Sequence, residues 1–159
     1  MDPDDPAAPS EWVAMPGRVL AVDWGEARIG LALSDPTRTL ATPYMTLAEK
    51  DKGLQIKRVV ALVDLLEIAE IIVGMPLHMD GAATTTTRPA MKYAEKLAGL
   101  VSVPVTLVDE RMTSITAEAR LSEAGWKSSR ADKSRIDSAA AAVMLQNWLD
   151  TRAIQRSES

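Results

Sequence analysis

The stretch RVLAVDWGEARIGLALS, residues 18–34, contains two short apolar runs separated by a polar turn. The first run is rich in β-branched residues and ends at Asp23, before Trp24-Gly25, so it predicts a buried strand that stops in a turn. The second run occupies residues 28–34 and ends before Asp35-Pro36. Because the gap between the runs has hairpin length, the stretch predicts an antiparallel pair of strands at the start of the domain.

The segment after this hairpin predicts a third strand and then alternating helices and strands. Pro43 restricts the third strand, residues 40–47, to an edge or an irregular position. From Lys52 to Ala69 apolar residues recur at three- and four-residue spacing, as in an amphipathic helix. Further strands are predicted at 71–74 and 104–108, and further helices at 89–97, 113–124 and 135–152. This order predicts an α/β domain whose mixed five-stranded sheet joins a three-strand antiparallel meander to two parallel strands, flanked by helices.

Length and composition predict one soluble domain. The chain has 159 residues, 47% of them apolar and 25% charged, and no apolar run approaches the roughly 18 residues of a membrane span. We expect a domain over 18–152, between a flexible, acidic, Pro-rich tail at 1–17 and a disordered C-terminal tail at 153–159. The absence of cysteine excludes disulfides and thiolate ligands, and together with the lack of a signal-like start it favours the cytoplasm.

The net charge of −4 does not argue against a nucleic-acid partner. Residues 1–17 carry four acidic and no basic side chains, so the remaining residues sum to zero charge. A neutral domain can bind phosphates where its basic residues cluster or where divalent cations add positive charge.

Two carboxylates directly follow buried strands. Asp23 ends the first strand and Glu110 follows the last one, so both are expected at one edge of the sheet. The alternative for Asp23 is a turn residue that bonds its own backbone. Asp109 competes with Glu110, but successive residues leaving a strand point to opposite faces, so at most one of them should face Asp23.

Asp137 is a third candidate with a strong structural alternative. Ser134 and Asp137 approximate a capping box, and from the sequence alone the capping role is favoured. Asp137 also shares a helical face with Ala140, Ala141 and Met144, whose small alanines would let the helix lie close to the sheet.

Three converging carboxylates repel one another unless a cation neutralises them, so such a cluster indicates Mg²⁺ or Mn²⁺. A pair of these ions can activate water and stabilise a leaving oxygen at a phosphodiester. With no cysteine and a single histidine, His78, there is little material for a zinc site or a Ser-His triad. His78 is expected in a solvent-facing loop, with substrate contact as the alternative.

Basic residues cluster between the last two predicted helices and could be joined by others near the strand ends. The alternative is a solvated loop; Trp126 in the same segment could stack on a base or anchor that loop. The predicted nucleic-acid-binding residues are Arg28, Arg88, Arg111, Lys127, Arg130, Lys133 and Arg135.

Four motifs in order resemble those of the YqgF/RuvX family. They lie at 22–32, 73–81, 109–113 and 133–140, so the resemblance covers roughly residues 18–150. It implies an RNase H-like fold related to RuvC resolvases, dependence on Mg²⁺ or Mn²⁺, and either maturation of the 5′ end of pre-16S rRNA or Holliday-junction cleavage. The family's acidic positions fall on Asp23, Glu110 and Asp137, which moves Asp137 from cap to ligand. Trp24 and His78 depart from the family's usual residues.

Two other function classes stay open at this point. An actin-like or sugar-kinase domain also has an Asp-x-Gly hairpin, but it needs two such domains around its nucleotide. A non-catalytic nucleic-acid-binding module is the second alternative, and the intact acidic triad argues against it. The sequence leaves open whether the protein acts as a monomer or a homodimer.

Overall fold

The structure is a computed structural model that describes residues 16–78, 80–110 and 133–158. In the last of these segments it describes the side chains of residues 138–155. Residues 1–15 of the tail predicted at 1–17 and the predicted helix at 113–124 lie outside the described residues.

Among the described residues, five strands form one mixed sheet and three helices cover its faces. The order along the sheet is β3-β2-β1-β4-β5; β2 is antiparallel to β1 and β3, whereas β1, β4 and β5 run parallel. The predicted α/β architecture, a three-strand antiparallel meander followed by two parallel strands, is therefore confirmed. The elements are β1 (Arg18–Asp23), β2 (Ile29–Ser34), β3 (Ala41–Leu47), α1 (Lys52–Leu65), β4 (Ile68–Met75), α2 (Thr87–Ala98), β5 (Val105–Asp109) and α3 (Lys133–Glu158).

The two faces of the sheet carry separate apolar layers. Leu20 and Val22 of β1 point into the layer formed with α1 and α2. Val19 and Ala21 point into the opposite layer, formed with α3. Because side chains alternate along a strand, Asp23 continues the second series and lies on the α3 face.

Small residues let α3 lie close to the sheet. Ala141 and Ala142 of α3 are fully buried against a sheet surface that is itself alanine-rich. The buried Gln146 side chain fixes the helix along this surface: its Oε1 accepts from the Ala41 backbone N–H at 2.8 Å, and its Nε2 donates to the Thr39 carbonyl at 3.0 Å. Such satisfied buried polar contacts specify one position of the helix on the sheet.

Three boundaries differ from the sequence prediction. Helix α1 ends at Leu65 rather than Ala69, because Glu67 has a positive φ of 54° and the strand begins at Ile68. Helix α3 continues to Glu158, so residues 153–158 of the predicted disordered tail are helical; the segment has no Gly or Pro to stop it. Gly17 belongs to the folded part, since its N–H donates to the Pro36 carbonyl at 3.1 Å.

Two weaker predictions are confirmed. β3 is an edge strand of the sheet, and its pairing with β2 shifts register next to Pro43. Pro89 lies in the first turn of α2.

Within the described residues, no helix combines the length and apolarity needed to span a membrane.

Candidate metal centre

The carboxyl ends of the three parallel strands bring Asp23 and Glu110 to one edge of the sheet. Asp23 is the last residue of β1 and pairs with Gly30 of β2. On its other side the β1–β4 register ends at Val22–Val73, which places Gly74 beside Asp23. Glu110 directly follows β5, whose Val108 pairs with Gly74. The two carboxylates are therefore separated by the end of β4.

The alternation of β5 selects Glu110 over Asp109. Val108 packs in the α3 layer, whereas Leu107 lies in a groove beside α2 on the opposite face. Glu110 is two residues after Val108 and shares its face, where it lines a cavity with Asp23. Asp109 does not line this cavity. The expectation that only one of the neighbouring acids faces Asp23 is met.

The cavity between the carboxylates has a volume of about 100 Å³ and is lined by Asp23, Glu110, Ala140 and Met144. Ala140 is exposed, whereas Met144 is only 4% exposed and closes the inner side. Glu110 Oε1 is buried and has no hydrogen-bond partner among the described residues. A buried carboxylate oxygen without a partner is costly, so this atom is available to bind a cation or to accept a hydrogen bond from a ligand.

Gly74 provides the space that the Glu110 carboxylate occupies. A Cβ built on Gly74 would lie 2.5 Å from Glu110 Oε1, 2.8 Å from Glu110 Cγ and 2.8 Å from Met144 Sδ. Any larger residue would displace the carboxylate or the thioether. The sequence analysis did not identify this role, although a Gly at the end of a buried apolar run, on the strand between two strands that end in predicted acidic ligands, was a usable signal.

Asp137 lies in α3, but its side chain is outside the described residues. Helical spacing sets it three residues before Ala140 and seven before Met144, both of which line the cavity. Among the side chains that the structure describes, no group of three His, Asp or Glu residues is close enough to hold a metal. The described part of the candidate site is thus the Asp23–Glu110 pair.

The predicted nucleic-acid-binding residues are only partly described. Arg28 is half-buried before β2. Arg88 is exposed in the first turn of α2 and lines a groove with Leu107, away from the carboxylate cavity. Arg111, Lys127 and Arg130 lie outside the described residues, as do the side chains of Lys133 and Arg135 and the whole of Trp126.

The two residues that depart from the family pattern occupy different surroundings. His78 is exposed in a tight loop after β4, where its N–H donates to the Ala82 carbonyl at 2.9 Å and its carbonyl accepts from Gly81 at 2.8 Å. This position fits the solvent-facing role expected for it. Trp24 is half-buried and packs against the core layer under α1 and α2.

The sheet order, together with acidic residues at the ends of β1 and β5, defines an RNase H-like domain. The fold resembles that of RuvC from Thermus thermophilus in complex with a Holliday junction, with a TM-score of 0.59 and 14% identity. The similarity covers 86% of this chain and 96% of the RuvC chain. At this level of identity it establishes the fold and nothing further.

The family model described as "RuvX: Holliday junction resolvase" matches residues 17–151, and the chain belongs to this family. A relative from Mycobacterium tuberculosis is 42% identical over 151 residues, covering 94% of this chain and 88% of the relative. One from Maridesulfovibrio salexigens is 38% identical over 133 residues, covering 83% and 97%. Both carry the name "Putative pre-16S rRNA nuclease". The resemblance to the YqgF/RuvX family stated from the motifs is thereby confirmed.

Proposed function

We propose that this protein is a metal-dependent endonuclease that hydrolyses phosphodiester bonds in structured nucleic acid. The observation that carries the proposal is the buried, unpartnered Glu110 Oε1 in a small cavity shared with Asp23. Two carboxylates facing one cavity repel each other, and a bound cation would relieve that repulsion while giving Oε1 a partner.

The donor set fits a hard divalent ion. Asp23 and Glu110 offer carboxylate oxygens, which Mg²⁺ and Mn²⁺ prefer, and no His is among the described residues that line the cavity. We assign these two residues as metal ligands. We add Asp137 as the third ligand because the family's acidic position falls on it and its helical spacing matches the cavity-lining residues Ala140 and Met144. When bound, a pair of such ions supplies an activated water and stabilises the leaving oxygen.

The chain's own contribution is to hold the acidic side chains rigidly and to limit water at their inner side. Asp23 is fixed by the paired backbone of β1, and Glu110 is held against Gly74 and Met144. Met144, which is 4% exposed, lies on the buried side of the cavity, and the exposed Ala140 lies on its solvent side. Gly30 carries no side chain next to Asp23, on the face where a phosphate would approach.

Substrate binding is assigned to basic residues around the site. Arg28, Arg88, Arg111, Lys127, Arg130, Lys133 and Arg135 are proposed to contact phosphates. We infer that the substrate is precursor 16S rRNA, because the curated relatives at about 40% identity bear that name. Branched DNA is the second candidate, since the family model is named for Holliday-junction resolution. The cytoplasmic location and a homodimer stay predictions.

One assay separates these substrates. The purified protein is incubated in Mn²⁺ or Mg²⁺ with a labelled 16S precursor RNA, a duplex DNA and a four-way DNA junction, each beside the Asp23→Asn variant. The proposal predicts cleavage of the RNA by the wild type and none by the variant, with binding largely retained because few phosphate contacts are lost. If the protein cleaves the four-way junction and not the RNA, branched DNA rather than precursor 16S rRNA is its substrate.

Two results of this assay would contradict catalysis by the carboxylates. If none of the substrates is cut in the presence of either metal, the protein is a nucleic-acid-binding module without nuclease activity and the proposal is wrong. If Asp23→Asn cleaves at the wild-type rate, the metal-ligand assignment is wrong even though the protein is a nuclease. A catalytically inactive variant with unchanged melting temperature and unchanged substrate affinity is the result that supports the assignment.

A further inference from the structure

Met144 places a thioether at a carboxylate site, and the proposed function so far gives it only a packing role at the buried side of the cavity. It lies on α3, is 4% exposed and lines the inner side of the cavity with Asp23 and Glu110. Its Sδ and Glu110 Oε1 border the same point, the absent Cβ position of Gly74, at 2.8 and 2.5 Å. The sulfur and the unpartnered oxygen therefore border the same small space.

We infer that Met144 is a specificity-determining residue that makes this site favour Mn²⁺ over Mg²⁺. The inference rests on the proposed metal-dependent function and concerns which ion the carboxylates accept. It does not require Met144 to take part in the reaction.

The preference follows from how each ion tolerates the apolar Met144 side chain, which supplies neither an oxygen ligand nor room for a bound water. Mg²⁺ requires a near-ideal octahedral shell of oxygens and gives up its waters reluctantly. The Met144 side chain occupies space on the inner side of the cavity and offers no oxygen in place of a displaced water. Mn²⁺ also prefers oxygen ligands, but it is larger than Mg²⁺ and exchanges its waters faster, so it tolerates an irregular or incomplete shell better. Met144 therefore lowers the affinity of the site for Mg²⁺ more than its affinity for Mn²⁺.

The competing explanation is that Met144 only fills space, since Met commonly fills irregular gaps in cores. Packing alone predicts that a sulfur-free residue of similar volume changes the affinities for both ions equally. Met144→Leu is such a replacement, and volume-conserving swaps of this kind usually cost less than about 1.5 kcal/mol of stability. Met91→Leu is the matched control, because Met91 is 44% exposed on α2 and lies outside the cavity.

The test measures metal binding rather than cleavage. The affinity of the full chain for Mn²⁺ is determined from the electron paramagnetic resonance signal of free Mn²⁺, and that for Mg²⁺ by competition. For Met144→Leu we expect the ratio of Mn²⁺ to Mg²⁺ affinity to fall about tenfold, the lower end of the effect on metal affinity when a residue next to a ligand is changed. Met91→Leu should keep the wild-type ratio. Melting in EDTA verifies that both variants fold.

The outcomes separate this inference from the function on which it rests. An unchanged ratio in Met144→Leu, with tight Mn²⁺ binding by the wild type, overturns the role of Met144 and leaves the metal site standing. Failure of the wild type to bind either ion overturns both. A wild type that binds Mg²⁺ more tightly than Mn²⁺ also overturns the inference. Asp23→Asn should lower the affinities for Mn²⁺ and Mg²⁺ by similar factors, because it removes a negative charge and leaves Met144 in place.

Discussion

Replacing Gly74 by Ala should inactivate the enzyme while leaving the fold intact. The new Cβ would lie 2.5 Å from Glu110 Oε1, whereas ordinary contacts begin at 3.4 Å, so the carboxylate must move by about 0.9 Å (3.4 − 2.5). The atoms within 3 Å belong to the flexible side chains of Glu110 and Met144, and no backbone atom is among them. We therefore expect an overpacking cost of about 1–3 kcal/mol in the free energy of unfolding.

The loss of activity should be much larger than this loss of stability implies. A displacement near 1 Å of a group that positions the reaction can lower the rate about 100-fold. Single-turnover cleavage in saturating Mn²⁺ and urea unfolding in EDTA give the two quantities on the same protein. We expect a cleavage rate reduced about 100-fold in a variant that still melts cooperatively.

Gly99→Ala is the matched control for this change. Gly99 caps α2 with φ −76°, and a Cβ there would meet its nearest atom at 3.5 Å, an ordinary contact. Ala at such a compatible position stabilises by about 0.4–1 kcal/mol and should not alter cleavage. A wild-type cleavage rate in Gly74→Ala would refute the argument that activity depends on the position of the Glu110 carboxylate. Global unfolding of Gly74→Ala would refute the argument that the side chains give way.

Three further variants probe the remaining parts of the account. Tyr93→Phe should raise stability at neutral pH by about 1 kcal/mol in urea unfolding, because the Tyr93 hydroxyl is buried without a partner among the described residues. Burial raises the pKa of Tyr93, so the wild type should also lose stability as pH rises above about 10, and the variant should lose less; equal losses would contradict this. Asp137→Glu should melt like the wild type in EDTA and cleave poorly, since one extra methylene disturbs the ion's geometry; full activity would return Asp137 to a capping role. Neutralising Lys127, Arg130 and Lys133 together should flatten the salt dependence of binding, and an unchanged slope would show a solvated loop.

The strand ends were predictable because two simple regularities determine them. The apolar runs that end at Asp23 and before Glu110 fix where the parallel strands stop, and strand alternation decides between Asp109 and Glu110. The helical spacing that grouped Ala140, Ala141 and Met144 also agrees with the structure, where Ala140 and Met144 line the cavity and Ala141 packs on the sheet.

The roles of Gly74 and Met144 required three-dimensional contacts. Their proximity joins the end of β4 to the fourth turn of α3. These two places are far apart in sequence, and no local pattern encodes the contact. The end of α1 was placed four residues late for a different reason. Apolar residues of β4 continue the helical spacing past Leu65, so the sequence pattern does not show where the helix ends. In the structure the left-handed backbone of Glu67 separates α1 from β4.

Single-turnover cleavage by two neighbouring variants, Glu110→Gln and Asp109→Asn, tests the central claim most directly. Each variant removes one negative charge from the same strand end, and only Glu110 faces the cavity shared with Asp23. In Mn²⁺ with the preferred substrate, we expect Glu110→Gln to lose cleavage and Mn²⁺ binding while Asp109→Asn keeps both. Equal loss in the two variants, or full activity in Glu110→Gln, would contradict a metal centre built on Asp23 and Glu110.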